Sequence, residues 1–211
     1  GVEEAAIIGG LRDLETLDVA RSRLSERTLD TLLSPRLRTL SLACDLLAPR
    51  ELSIVRSLPC LETLAASGVD GEALSWLDGH RTLADLSLRG DIDSAVLARL
   101  GELPALRRLA LEDTGVDDDI APWLARQPRL VSLGLADTRV RAASFTQLAH
   151  LVVLRSIDLT RARVDDEGAA ALASLPGLRQ VSLLRTEVSD AGAALLRARG
   201  CNVLHEAARV P

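Results

Sequence analysis

The stretch LRSIDLTRARVDDEG, residues 154–168, is answered 24 positions later by LRQVSLLRTEVSDAG, residues 178–192. Leu154 and Leu178, Leu159 and Leu183, Val164 and Val188, and Gly168 and Gly192 fall at the same places in the two. Working outward from this pair, L-x-x-L-x-L recurs from end to end. It is readable at Leu14, Leu17 and Val19; Leu37, Leu40 and Leu42; Leu61, Leu64 and Ala66; and Leu83, Leu86 and Leu88. It continues at Leu106, Leu109 and Leu111; Leu130, Leu133 and Leu135; Leu154, Ile157 and Leu159; and Leu178, Val181 and Leu183. Successive starts lie 23, 24, 22, 23, 24, 24 and 24 residues apart, a regularity that leucine content alone does not produce. A period of this length is the mark of stacked structural repeats.

Composition agrees. Of 211 residues 47% are apolar, yet the aromatics are only Phe145, Trp76 and Trp123, and there is no Met or Tyr. A core without aromatics is filled by Leu, Val and Ala, which suits thin repeated layers. All 25 basic residues are arginine, which reads as codon bias of a GC-rich bacterial genome. No apolar run approaches the roughly 20 residues needed to span a bilayer, so no membrane insertion is expected. Cys44, Cys60 and Cys201 leave an odd thiol and form no C-x-x-C pair, which points to reduced cysteines in the cytoplasm. The net charge of -5 disfavours a chain that coats nucleic acid with its whole surface.

After each strand pattern the later units read T-x-V-x-D-x-G, as in Thr186, Val188, Asp190 and Gly192, then an apolar helical stretch and L-P. In these features the chain resembles the leucine-rich repeat superfamily. Within it, the length near 24 is similar to the bacterial and F-box-associated repeats related to the ribonuclease-inhibitor type. The resemblance implies an α/β fold, a right-handed solenoid or horseshoe with a concave parallel β-sheet and convex helices. Residues 1–211 then form a single domain of about eight repeats. One departure is plain: the usual Asn or Cys at the ninth position is Thr, Ser, Asp or Ala here, which implies a weaker or differently made polar ladder.

Each residue type has a task in that register. The leucines of the period-two segment point inward, and Asp18, Ser41, Ala65, Ser87, Ala110, Gly134, Asp158 and Ser182 form the central column of the concave face. Leu124, Leu148, Leu172 and Leu196 make the helix stripe that covers the sheet. Pro59, Pro104, Pro128 and Pro176 end the helices. Asp118, Asp166 and Asp190 are placed to cap the helices that follow. Ile8 and Leu11 sit in the helix-tail register of a unit whose strand is missing, so the chain reads as a fragment of a longer protein, while Gly200 to Leu204 read as a last, degenerate strand.

Chemistry is sparse. His80, His150 and His205 lie far apart in repeat terms and make no metal-ligand set, and neither Cys44 nor Cys60 has a histidine at a matching position. The runs Asp117–Asp119 and Asp165–Glu167 lack the alternation of a calcium loop and begin helices instead. Gly9 and Gly10 are a pair without the G-x-G-x-x-G that cradles phosphate. No nucleophile, base and orienting group are arranged together, so no catalytic, cofactor or metal residue is assigned.

What the register does sort is arginine. Arg155 and Arg179 share the position after the first leucine, Arg161 and Arg185 the strand exit, and Arg139 and Arg163 the ascending loop, with Arg141 beside them. These columns read either as a basic rim for an acidic partner or as a solvated face with self-paired charges. On the convex side Trp76 and Trp123 share a register position that Arg99 occupies between them. They read as packing, with a cation–π stack, or as an aromatic anchor for a partner.

What the resemblance implies is a non-catalytic protein-interaction or scaffold module. It would bind through the concave face or the arginine rim, without a cofactor or small-molecule substrate. Two alternatives stay open: the substrate-recognition domain of a larger enzyme, and a secreted bacterial effector. Nucleic-acid binding through the rim is disfavoured because no aromatics interleave with it.

Overall fold

The computed structural model describes residues 13–20, 34–43 and 53–206. Ile8, Gly9, Gly10, Leu11 and Cys44 lie outside them. Among the described residues nine strands form one parallel sheet in strict chain order: β1 (Thr16–Val19), β2 (Thr39–Ala43), β3 (Thr63–Asp70), β4 (Asp85–Asp91), β5 (Arg108–Ala110), β6 (Ser132–Gly134), β7 (Ser156–Asp158), β8 (Gln180–Ser182) and β9 (Asn202–Leu204). Strand β9 is the degenerate last strand expected at Gly200 to Leu204.

Register follows the leucine pattern without slippage through the middle of each strand. Leu17, Leu40, Leu64, Leu86, Leu109, Leu133, Ile157, Val181 and Val203 pair in one inward column. The end members Leu17 and Val203 keep 7% and 8% exposure, whereas every inner member has 2% or less. That contrast is the energetic logic of the fold. No unit buries its own leucines; each is covered by its neighbours, at roughly 1.5–3 kcal/mol per buried side chain. The adjoining outward column is the expected one, from Asp18 to Ser182, with Leu204 added as its ninth member.

Among the described residues the convex layer holds the 3-10 turns Ser53–Ser57 and Gly71–Leu77. It also holds the short helices α1 (Ser94–Ala98), α2 (Ala121–Ala125, preceded by the 3-10 turn Asp118–Ile120) and α3 (Ala142–Thr146). It ends in α4 (Asp166–Ala173) and α5 (Asp190–Ala198). Leu124, Leu148, Leu172 and Leu196 are all completely buried beneath it.

The capping expectation is corrected by one residue. The N-caps are Asp93, Asp117, Asp165 and Ser189, whose side chains accept from Val96, Asp119, Gly168, and Ala191 and Gly192 N–H groups. Asp118 and Asp166 already stand in the first helical turn and reach sideways instead. Asp118 Oδ1 accepts the Arg141 N–H at 2.7 Å, and Asp166 accepts the Ser189 N–H at 2.8 Å and its hydroxyl at 2.7 Å. These bonds join consecutive repeats. The two Ser189 contacts hold the Asp166 carboxyl below its ordinary pKa.

The ninth-position departure also has a physical answer. Thr114, Thr138 and Thr186 are buried, and each hydroxyl donates to the carbonyl three residues earlier, Leu111 at 2.8 Å, Leu135 at 2.6 Å and Leu183 at 2.9 Å. The hydroxyl closes its own turn, while backbone bonds tie the loops of successive repeats, such as Arg139 N–H to Val116 O at 2.8 Å and Glu187 N–H to Val164 O at 2.9 Å.

Candidate functional site

The outward face of the sheet carries a trough of about 340 Å³ across β3 to β7. Its floor is the small-residue column Ala65, Ser87, Ala110 and Gly134. The sheet itself does not demand glycine at Gly134. A Cβ placed there would meet Ala110 at 3.5 Å, an ordinary contact, and its φ is unexceptional. The missing side chain therefore shapes the surface rather than relieving the core.

Charges around the trough neutralise one another between repeats. Arg108 pairs with Asp85, Arg89 with Glu112, and Arg38 with Glu62. Thr160 satisfies Asp158 with its N–H at 2.9 Å and its hydroxyl at 2.6 Å. Exposed pairs of this kind contribute about 0–1 kcal/mol each, so they set the shape and polarity of the face more than its stability. They went unread in the sequence, although opposite charges 23 or 24 residues apart were the available signal.

The seven rim arginines are all exposed, and they divide into two groups. Arg155 folds back on the turn below it, donating from Nη1 to the carbonyls of Val152 at 2.8 Å, Gly177 at 3.0 Å and Leu154 at 3.3 Å. Arg179 donates to the Leu178 carbonyl at 2.7 Å, and Arg161 pairs with Asp137. Among the described residues Arg139, Arg141, Arg163 and Arg185 make no ion pair.

Two local rules are broken on this rim. Arg161 and Arg185 occupy left-handed backbone, φ +62° and +58°, at the repeat position held by Gly68 and Gly90 in earlier units and by Asp113 and Asp137 between. Arg141 stands at the N-cap of α3, where four other repeats place Asp or Ser, and makes no side-chain cap bond. Aspartate tolerates the left-handed region and arginine gains nothing there, so neither choice serves local stability.

On the convex side the aromatic anchor is corrected. Trp76 and Trp123 are 2% and 0% exposed, which leaves no indole surface for a partner, and Trp123 Nε1 donates to the Gly101 carbonyl at 3.2 Å. They fill the core, while the exposed Arg99 between them closes α1 as its C-cap.

The histidines and thiols stay apart. His150 is exposed and its Nε2 bonds the Ala125 carbonyl at 3.1 Å, and His205 Nε2 bonds the Val188 carbonyl at 2.8 Å. His80 is 5% exposed beside a second cavity of about 460 Å³, and neither ring nitrogen has a well-formed hydrogen bond. Burial pushes its imidazole below the ordinary pKa, with the nearby Val55 backbone opposing. Cys60 and Cys201 are free thiols, and burial raises the pKa of Cys201. Among the described residues no three His, Cys, Asp or Glu side chains converge on a point where a metal ion would sit, and no helix is long and apolar enough to cross a membrane.

No protein-family model matches the sequence, and a search of curated proteins returns no match. Solved structures do match. Internalin C2 from Listeria monocytogenes str. 4b F2365 is similar with a TM-score of 0.53 and 19% identity, over 86% of this chain and 84% of that one. A chain of the Rad7 and Elc1 complex from yeast gives a TM-score of 0.45 and 17% identity over 93% and 71%, too loose a likeness to add to the first. With its nine in-register parallel strands, its buried leucine columns and this structural likeness, the chain has the leucine-rich repeat solenoid fold.

Proposed function

We propose that the protein is a non-catalytic protein-interaction module whose partner lies on the concave face, across β4 to β7, and extends onto the arginine rim at the C-terminal end. The observation that carries this reading is the trough of about 340 Å³ floored by Ala110 and by Gly134, a glycine that the packing does not require. A preformed sheet face limits the ordering cost of association, and its breadth suits a protein surface better than a small molecule, which needs deeper enclosure. The helices of eight and nine residues in α4 and α5 favour the ribonuclease-inhibitor-like subtype of repeat. The free thiols Cys60 and Cys201 favour a reducing, cytoplasmic setting.

The test is capture of partners from the source organism with wild type and with Ala110→Arg, which fills the trough while leaving the buried columns untouched. The reading expects a protein enriched by the wild type and lost with the variant. Equal recovery with Ala110→Arg, or no enrichment over an unrelated acidic protein, overturns it.

A further inference from the structure

We propose that the ascending rim of the C-terminal repeats, through Arg139, Arg141, Arg163 and Arg185, receives an acidic helical segment of the partner. The proposal rests on the protein-binding reading above and adds the chemistry of what is bound. Three observations carry it.

First, among the described residues these four guanidinium groups make no ion pair. Of the carboxylates on this side of the sheet, Asp137 is engaged by Arg161, Asp118 by the Arg141 N–H and the Ser144 hydroxyl, and Asp165 by the Gly168 N–H. Arg155 and Arg179, of the same residue type and also exposed, turn back onto backbone carbonyls, which sets them apart from these four.

Second, two of the four sit where local stability argues against them. Arg185 holds a left-handed φ of +58° that glycine adopts without strain, and Arg141 replaces a capping side chain at the start of α3. Strain and broken local rules that the fold does not need are the mark of a surface kept for binding.

Third, the spacing selects the partner's shape. Arg139 and Arg163 occupy one register position in consecutive repeats, set by the pairing of Ser132 with Ser156. Consecutive parallel strands lie about 4.8 Å apart. Carboxylates four residues apart on a helix present themselves about 5–6 Å apart, which matches that step, and each carboxylate accepts an arginine bidentately. A nucleic-acid strand is the poorer fit, because the aromatic side chains Trp76, Trp123 and Phe145 are all buried and none is available to stack on bases.

The experiment uses a helical peptide with glutamate at every fourth residue, its glutamine counterpart and a duplex DNA of similar charge, titrated against the full chain at low ionic strength. Wild type is expected to bind the glutamate peptide at least tenfold more tightly than either other probe. The pair Arg141→Asp and Arg185→Gly is expected to weaken that binding at least tenfold while Tm stays level or rises, because a cap is supplied and backbone strain removed. A merely structural role for these arginines would lower Tm instead. Unchanged binding in the double variant, a missing preference for glutamate, or tighter binding of the duplex overturns the proposal. The Ala110→Arg capture result judges the protein-binding reading separately, so either can fail alone.

Discussion

Gly177→Ala tests whether Arg155 belongs to the scaffold. A Cβ at residue 177 would lie 2.1 Å from Arg155 Nη1, 2.4 Å from the Val152 carbonyl oxygen and 2.7 Å from that of Leu154. A carbon and an oxygen rest in contact at about 3.3–3.6 Å, so backbone atoms must retreat by roughly 0.6–1.2 Å. Overpacking of this kind costs about 1–3 kcal/mol. Displacing the guanidinium from its carbonyl acceptors adds roughly 1 kcal/mol, a value discounted because Arg155 is exposed. The sum is about 2–4 kcal/mol, or a Tm lower by about 5–15 °C for a chain of this length. Gly79→Ala is the control: nothing lies within 4 Å of its added Cβ, so only the left-handed φ of +69° opposes it, at roughly 1 kcal/mol. Thermal unfolding followed by circular dichroism measures both, alone and in combination with Arg155→Ala. Removing Arg155 relieves only the side-chain part of the clash, so the combined variant should fall short of additivity by about 1 kcal/mol and stay well below wild type. A Gly177→Ala protein within about 0.5 kcal/mol of wild type, or one fully restored by Arg155→Ala, would refute the reasoning, since surface sites behave that way.

Three further outcomes follow from the geometry. Burial of Trp76 and Trp123 predicts tryptophan fluorescence that acrylamide barely quenches and that stays unchanged when partner binds; strong quenching would return the convex face to consideration. Because the folded His80 pKa is depressed, the unfolded chain takes up the proton first. Stability should therefore decline as pH falls below about 6.5, more in wild type than in His80→Gln, and equal declines in denaturant midpoints would count against it. Thr138→Val leaves the buried Leu135 carbonyl without its 2.6 Å hydroxyl and should cost about 1 kcal/mol by chemical unfolding, whereas no loss would mean the turn closes without it.

How far the sequence could be read depended on how each feature is written in it. The inward and outward columns were legible residue by residue, because side-chain period and leucine spacing leave one register that buries Leu64, Leu86 and Leu109 together. The caps were misread by one position because Asp117–Asp118 and Asp165–Asp166 are adjacent pairs, and only the backbone angles separate the capping member from the one that bridges to the next repeat. The rim was legible as a register of arginines but not as two groups. Arg155 and Arg163 look alike in a pattern. What distinguishes them is the space that Gly177 leaves for one guanidinium, a property of three-dimensional packing. The trough was half visible, its small residues being plain and its enclosing ion pairs unread.

The most direct test of the account places a photo-crosslinking residue at Ala110, on the floor of the concave trough, and separately at Ala170, exposed on the outer surface of α4. Irradiation of each in the presence of captured partner should give a crosslinked product from position 110 and none from position 170. Crosslinking from position 170 alone, or from neither, would contradict the claim that the concave face is where this solenoid binds.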